Sequence, residues 1–154
     1  MAKPKKTQAA EAAVTKLRAV NVASGYHTNL GRNRGLAVGR RLLVLNLMKD
    51  AEFPAATVLM GEARPAEDGC LGSYRETSSL VVLLYGKDPD IPAELERLEA
   101  DAKEALCGAN DLAGITGKPR HVSTIPYYQE QANLDRGMVE VTFAVDHNWT
   151  AAAP

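Results

Sequence analysis

Four arginines, Arg32, Arg34, Arg40 and Arg41, stand in the glycine-rich segment 25–41. Guanidinium groups on a backbone that glycine lets approach a partner suit phosphates or acidic protein surfaces. Buried in a core, each would need a partner and would carry a severe desolvation cost, so they belong on the surface or at an interface. Aromatic residues make up 5% of the chain and none lies among these arginines. Base stacking on single strands is therefore not expected, and contact with duplex DNA would be to phosphates alone, without sequence readout.

The other reactive side chains are scattered. His27, His121 and His147 are isolated, with no HExxH pair, Cys/His cluster or acidic metal loop beside them. Cys70 and Cys107 are too far apart for a CxxC pair and read as two free thiols. Gly31-Arg32-Asn33-Arg34-Gly35 lacks the Gly-Lys-Ser/Thr ending of a phosphate loop, and Gly114–Lys118 runs directly into Pro119. A Ser/His/Asp set can be assembled only on paper, because there is no GxSxG elbow. No catalytic residue, cofactor or metal is expected.

The elements that would position these residues centre on 77–106. Leu80–Leu84 is a continuous apolar run, the pattern of a strand covered on both faces. Pro92 then suits the first turn of a helix. Leu95, Leu98, Ala102, Ala105 and Leu106 share one face of it. Glu94, Glu96, Arg97, Asp101, Lys103 and Glu104 lie mostly off that face, as a solvated surface on which Glu99 and Lys103 pair one turn apart. Gly108 ends the helix.

An earlier helix is expected from Thr7, as its cap, to Val20, with a thin stripe of Ala10, Ala13, Val14 and Leu17. Leu42–Met48 fits a buried strand or a short helix, which periodicity does not separate, and residues 36–45 lean to strand. Pro54–Glu62 reads as a strand joined by a long hairpin connection to the central one. Residues 118–130, with Pro119 and Pro126, read as irregular or edge-like. Asn133, Asp135 and Gly137 mark a turn, and Met138–Asp146 alternates as a clear strand. Trp149 and the tail 151–154 are expected to fray or to dock on a neighbour.

The expected architecture is α+β, a mostly antiparallel sheet of about four strands with two helices packed on one face. Residues 1–6 read as a flexible basic N-terminal tip and 7–154 as a single domain. The second face of the central strand would need a long loop or a neighbouring subunit to cover it, a hint of oligomerisation. With 45% hydrophobic and 24% charged residues over 154 positions, the composition is that of an ordinary globular chain. No apolar run reaches a membrane span and no secretory core follows the basic start, so cytoplasmic production is expected. The net charge of −1 conceals a polarity: residues 1–60 carry ten basic side chains against three acids, the remainder eight against sixteen. Such polarity can serve head-to-tail assembly or expose a basic surface, and it disappears if the two halves interleave in space.

The order of motifs resembles a known family. A short N-terminal helix precedes Gly25-Tyr26-His27-Thr28-Asn29, and a glycine/arginine segment ends at Val38-Gly39-Arg40-Arg41. Phe53-Pro54-Ala55 then opens a strand, another strand ends at Tyr85-Gly86, and an amphipathic helix and the strand Val139–Val145 follow. Over about residues 7–146 this is similar to the tail terminator, or tail completion, proteins of long-tailed bacteriophages. The resemblance implies a structural, non-enzymatic α+β virion subunit in the tail, at the head–tail junction, assembled in the host cytoplasm. It would form a homo-oligomeric, hexameric ring that caps the tail tube protein, joins head–tail connector or neck proteins and lets genomic DNA pass. In such a ring Arg32 and Arg34 would face the DNA lumen, and Arg40 and Arg41 a subunit or partner interface. A head–tail connector or neck subunit is the alternative, and a small enzyme or ligand-binding domain a more distant one.

Overall fold

The computed structural model of the chain describes residues 3–31, 38–65, 73–108, 112, 114–128 and 135–150. The elements are α1 (Lys5–Arg18), β1 (Val38–Gly39), β2 (Ala55–Pro65), β3 (Ser73–Lys87), α2 (Ile91–Cys107), β4 (Arg120–Tyr128) and β5 (Arg136–Thr150). The strands form one five-stranded sheet in the order β1-β2-β3-β5-β4. Among the described residues only the β1–β2 pair is parallel. The class is the expected α+β, with five strands rather than four.

β3 and β5 pair without a register break from Ser73↔Thr150 to Lys87↔Arg136 and form the spine of the sheet. Successive strand residues point to opposite faces. Leu80, Val82 and Leu84 of β3 and Val139, Val141, Phe143 and Val145 of β5 thus share one buried face. Both helices lie on it, α1 over β1 and β2, α2 over β3, β5 and β4. Val81 and Leu83 point the other way and are only half-buried. The apolar run was expected to mean two covered faces; one is covered by helices and the other only at one end.

α1 begins at Lys5, inside the expected basic tip, with Pro4 at its N-cap and no side-chain cap, so Thr7 lies within the helix. Its buried stripe includes Ala9, Ala10 and Ala13, whose small side chains let the helix axis approach the sheet. α2 is capped by Asp90, whose carboxylate accepts from the Ala93 amide at 3.3 Å, and Pro92 sits in its first turn. Its seat is a pair of glycines. Gly86 and Gly137 face each other across β3 and β5. A Cβ on Gly86 would lie 3.1 Å from Leu98 Cδ1, and one on Gly137 2.8 Å from Ile91 Cγ1. Any larger residue there would crowd the α2 side chains seated on the sheet.

One sequence expectation is corrected. Of the strand expected over 36–45, the described residues form only Val38–Gly39, and 40–54 is a loop carrying the 3-10 turns Leu45–Leu47 and Asp50–Glu52. Arg136 holds the far part of this loop from across the sheet. Its guanidinium donates to the carbonyls of Leu45 (3.3 Å) and Met48 (2.8 Å) and also binds Asp50 at 2.9 Å. It stacks 5.1 Å from the Phe53 ring centre. The loop folds over one end of the open sheet face. There Leu43, Leu45, Met48 and Phe53 pack with Ala55, Leu83, Tyr85 and Met138 into a second, smaller apolar cluster. Leu42, Val44 and Leu47 are left pointing to solvent. Of the two readings of 118–130, the edge-like one holds: β4 is an edge strand of the sheet, and it accommodates Pro126 because an edge strand has one side without a paired neighbour.

Candidate functional site

The three histidines do three different things, and none is paired for catalysis. His27 is exposed in the loop after α1. The backbone amides of His27 and Thr28 and the Thr28 hydroxyl donate to the Asp101 carboxylate at 2.9, 2.8 and 2.6 Å. Asp101 is fully buried. It was expected on the solvated face of its helix; instead it is the peg on which the 25–31 loop hangs. His121 lies 2.7 Å from the Thr124 hydroxyl, which donates to Glu99 at 2.8 Å, and meets the Phe143 ring edge-on.

His147 comes nearest to a catalytic arrangement. It is buried beneath the start of α1, where Lys5 donates to the Asn148 carbonyl. Its Nε2 is 3.0 Å from Ser78 Oγ and 3.7 Å from the Glu76 carboxylate. A relay needs the acid on one ring nitrogen and the nucleophile on the other. Here both partners face the same nitrogen, Nδ1 is buried without a partner, and Ser78 is buried too. The geometry holds two strands and a helix together and is not that of a hydrolase.

Burial pushes the His147 pKa below its ordinary value of 6.5, with Glu76 opposing the shift and Lys6 and Lys5 assisting it. A histidine depressed in the folded state is protonated first in the unfolded chain. Its contribution to stability is present above about pH 6.5 and is lost as pH falls through the folded pKa. The wild type should therefore lose denaturant resistance as pH falls below about 6.5. His147→Gln, which retains a polar group near Ser78 but cannot titrate, should flatten that slope. Equal slopes in urea titrations of the two proteins would count against the assignment. Asp146 acts in a separate window. It accepts from Arg120 at 2.7 Å, Thr77 at 2.6 Å and Arg75 at 3.2 Å, and its pKa falls to about 2.

Cys107 is a free, half-buried thiol whose pKa burial pushes up, the opposite of an activated nucleophile. Cys70 lies outside the described residues. Among the described residues no three His, Cys, Asp or Glu side chains converge as a metal site. No helix among them is long and apolar enough to cross a membrane. A cleft of about 470 Å³ is lined by His27, Asn29, Asp50, Phe53 and Glu94. Its acids are already occupied: Asp50 by Lys87 (3.0 Å) and Arg136 (2.9 Å), Glu94 by Arg97 (2.8 Å). A second cleft of about 400 Å³, lined by Leu43–Asn46, Tyr85, Tyr127 and Met138, lies between the folded-over loop and the open sheet face.

Of the four arginines, Arg40 and Arg41 directly follow β1 and are exposed. The Arg41 carbonyl accepts from the Thr57 hydroxyl at 2.7 Å, which fixes the backbone there. Arg32 and Arg34 lie outside the described residues. The positioning residues Arg136 and Asp101 had no local signature, because each acts on a loop far away in sequence.

The second face of the sheet is thus covered only at one end, and Arg40 and Arg41 stand exposed after β1. No family model matches the chain, and no curated protein matches it. Its fold is similar to that of a chain in the virion of a native gene transfer agent particle, with a TM-score of 0.61. The match covers 92% of this chain and 94% of that one, at 16% sequence identity.

Proposed function

We propose that this chain is a structural virion protein, a tail terminator subunit that forms a ring capping the tail tube and joining the tail to the head. The observation that carries the reading is the end-to-end similarity of its fold to a virion chain, 92% of one length against 94% of the other. The motif order that resembles tail terminators supports the finer role. The partners are further copies of the chain in a hexameric ring, the tail tube protein, connector or neck proteins, and genomic DNA passing through the lumen. Arg32 and Arg34 face that lumen; Arg40 and Arg41, exposed at the β1 edge, face a neighbouring subunit. No catalysis, cofactor or membrane enters this role. The protein acts at the head–tail junction of a virion put together in the host cytoplasm. A connector or neck subunit would share the same fold-level support.

Electron microscopy of the purified protein, with and without tail tubes, tests the reading. Rings seated on tube ends are the expected result. Rings that bind portal complexes and ignore tube ends would establish the connector instead. A protein that forms no ring and caps no tube under either condition would remove the structural reading.

A further inference from the structure

His147 is a titratable side chain in a place built for its neutral form. It is 6% exposed and shares the helix-covered face of β5 with Phe143 and Val145. Its Nε2 meets Ser78 Oγ at 3.0 Å and the Glu76 carboxylate at 3.7 Å, both on β3. Its Nδ1 is buried without a partner. Burial opposes the imidazolium most, and Lys6 and Lys5 in the first turn of α1 add to that opposition. Glu76 on β3 and Asp146 on β5 favour it. Asp146 is the weaker of the two; its carboxylate is held on the other face of the sheet by Arg120 at 2.7 Å and Thr77 at 2.6 Å.

The turn above the ring is lightly held. The positive end of a helix dipole favours acids, yet the first turn of α1 has none and carries Lys5 and Lys6 instead. Pro4 at the N-cap makes no side-chain bond. Residues 5–8 are half-buried, whereas Ala9, Ala10 and Ala13 are buried. The Lys5 ammonium, bonded to the carbonyl of Asn148, ties this turn to β5 directly beside His147.

We propose that His147 is a proton-operated latch on the first turn of α1: neutral, it lets residues 5–8 wind against β5, and protonated, it unwinds them while the helix from Ala9 onward stays seated. A proton on Nδ1 creates a buried cation with no acceptor on that side. That cation lies beneath two ammonium groups and the positive end of the helix. Glu76 can answer only the Nε2 side of the ring. Unwinding the turn admits water to Nδ1 and separates the like charges. The rest of α1 keeps its buried apolar stripe, so the opening stays local. The acid-side loss of stability described above concerns the whole fold; the latch is a local step that precedes it. It follows from the monomer's own packing and holds whether or not the chain acts as a tail terminator.

NMR on the full chain from about pH 8 to 4 tests the latch, the His147 ring signals reporting protonation and the backbone carbon shifts reporting helix residue by residue. Residues 5–8 should turn to coil with the same midpoint as the His147 ring, while 10–17 stay helical. In His147→Gln, residues 5–8 should remain helical through that range. Glu76→Gln removes the stronger group favouring the imidazolium and should move the midpoint to lower pH. Lys6→Gln removes an opposing charge and should move it to higher pH. Opposite movements read the charge on His147, which a purely structural contact would not give, and they decide the matter even if His147→Gln does not fold. Residues 5–8 that stay helical as the ring titrates, or that unwind equally in His147→Gln, overturn the latch. So do a ring that stays neutral until the whole fold melts, and midpoints that fail to move in opposite directions.

Discussion

Asp101→Ala should lower the unfolding free energy by about 2–5 kcal/mol, although the residue sits on a helix whose charged face looks dispensable. Its carboxylate is fully buried and takes three donors from one loop: the amides of His27 and Thr28 and the Thr28 hydroxyl. Alanine removes the acceptor of all three, and the two on Thr28 are buried. Asp101→Asn keeps one carbonyl oxygen and should lose less. Urea denaturation gives the magnitude, and amide exchange at His27 and Thr28 gives the location. The effect should concentrate on the 25–31 loop, which is anchored at its far end where the Gly31 amide donates to the Val20 carbonyl at 2.8 Å. A wild-type midpoint for Asp101→Ala would show that the peg holds nothing.

Leu98→Ala should cost a similar amount, about 2–5 kcal/mol, because Leu98 is fully buried where α2 meets the spine of the sheet. The more discriminating result is its coupling to Gly86. In the wild type a Cβ on Gly86 would lie 3.1 Å from Leu98 Cδ1 and 3.1 Å from Glu94 Cγ, so Gly86→Ala alone crowds the helix. With Leu98 reduced to alanine, the first of these contacts is gone and the added methyl enters the vacated space. Gly86→Ala should therefore be less damaging in the Leu98→Ala background than in the wild type, a non-additive cycle. Strictly additive losses in chemical denaturation would mean that the two residues do not share the seat of α2.

These results separate what is legible from residues alone from what is not. The α+β class, α2 with its apolar stripe and proline-marked start, the β2–β3 hairpin and the alternating β5 strand were all readable. Each is written in local periodicity, and local periodicity needs no knowledge of the neighbour. The Glu99–Lys103 pair, one helical turn apart, was readable for the same reason. Asp101 was misplaced because a helical wheel ranks residues by their own helix and cannot see a loop some seventy positions earlier. That the loop after Val38–Gly39 would fold over the sheet was not legible either, because periodicity could not reveal that Arg136, across the sheet, would bind the Leu45 and Met48 carbonyls.

The sequence by itself determined that this chain forms a two-layer α+β unit, holds no recognisable catalytic motif and carries opposite charge in its two halves. Only the tertiary structure decided where that charge goes. The net-basic α1 packs over β1–β2 and α2 over β3–β5–β4, while Asp50 of the first half crosses the sheet to Lys87 and Arg136 of the second. It also decided that Ser78, His147 and Glu76 are a packing contact and not a relay, since which ring nitrogen meets which partner is set by the pairing of β3 with β5. Local pattern follows from the order of side chains; the meeting of distant side chains follows from register, and register exists only once the sheet has formed.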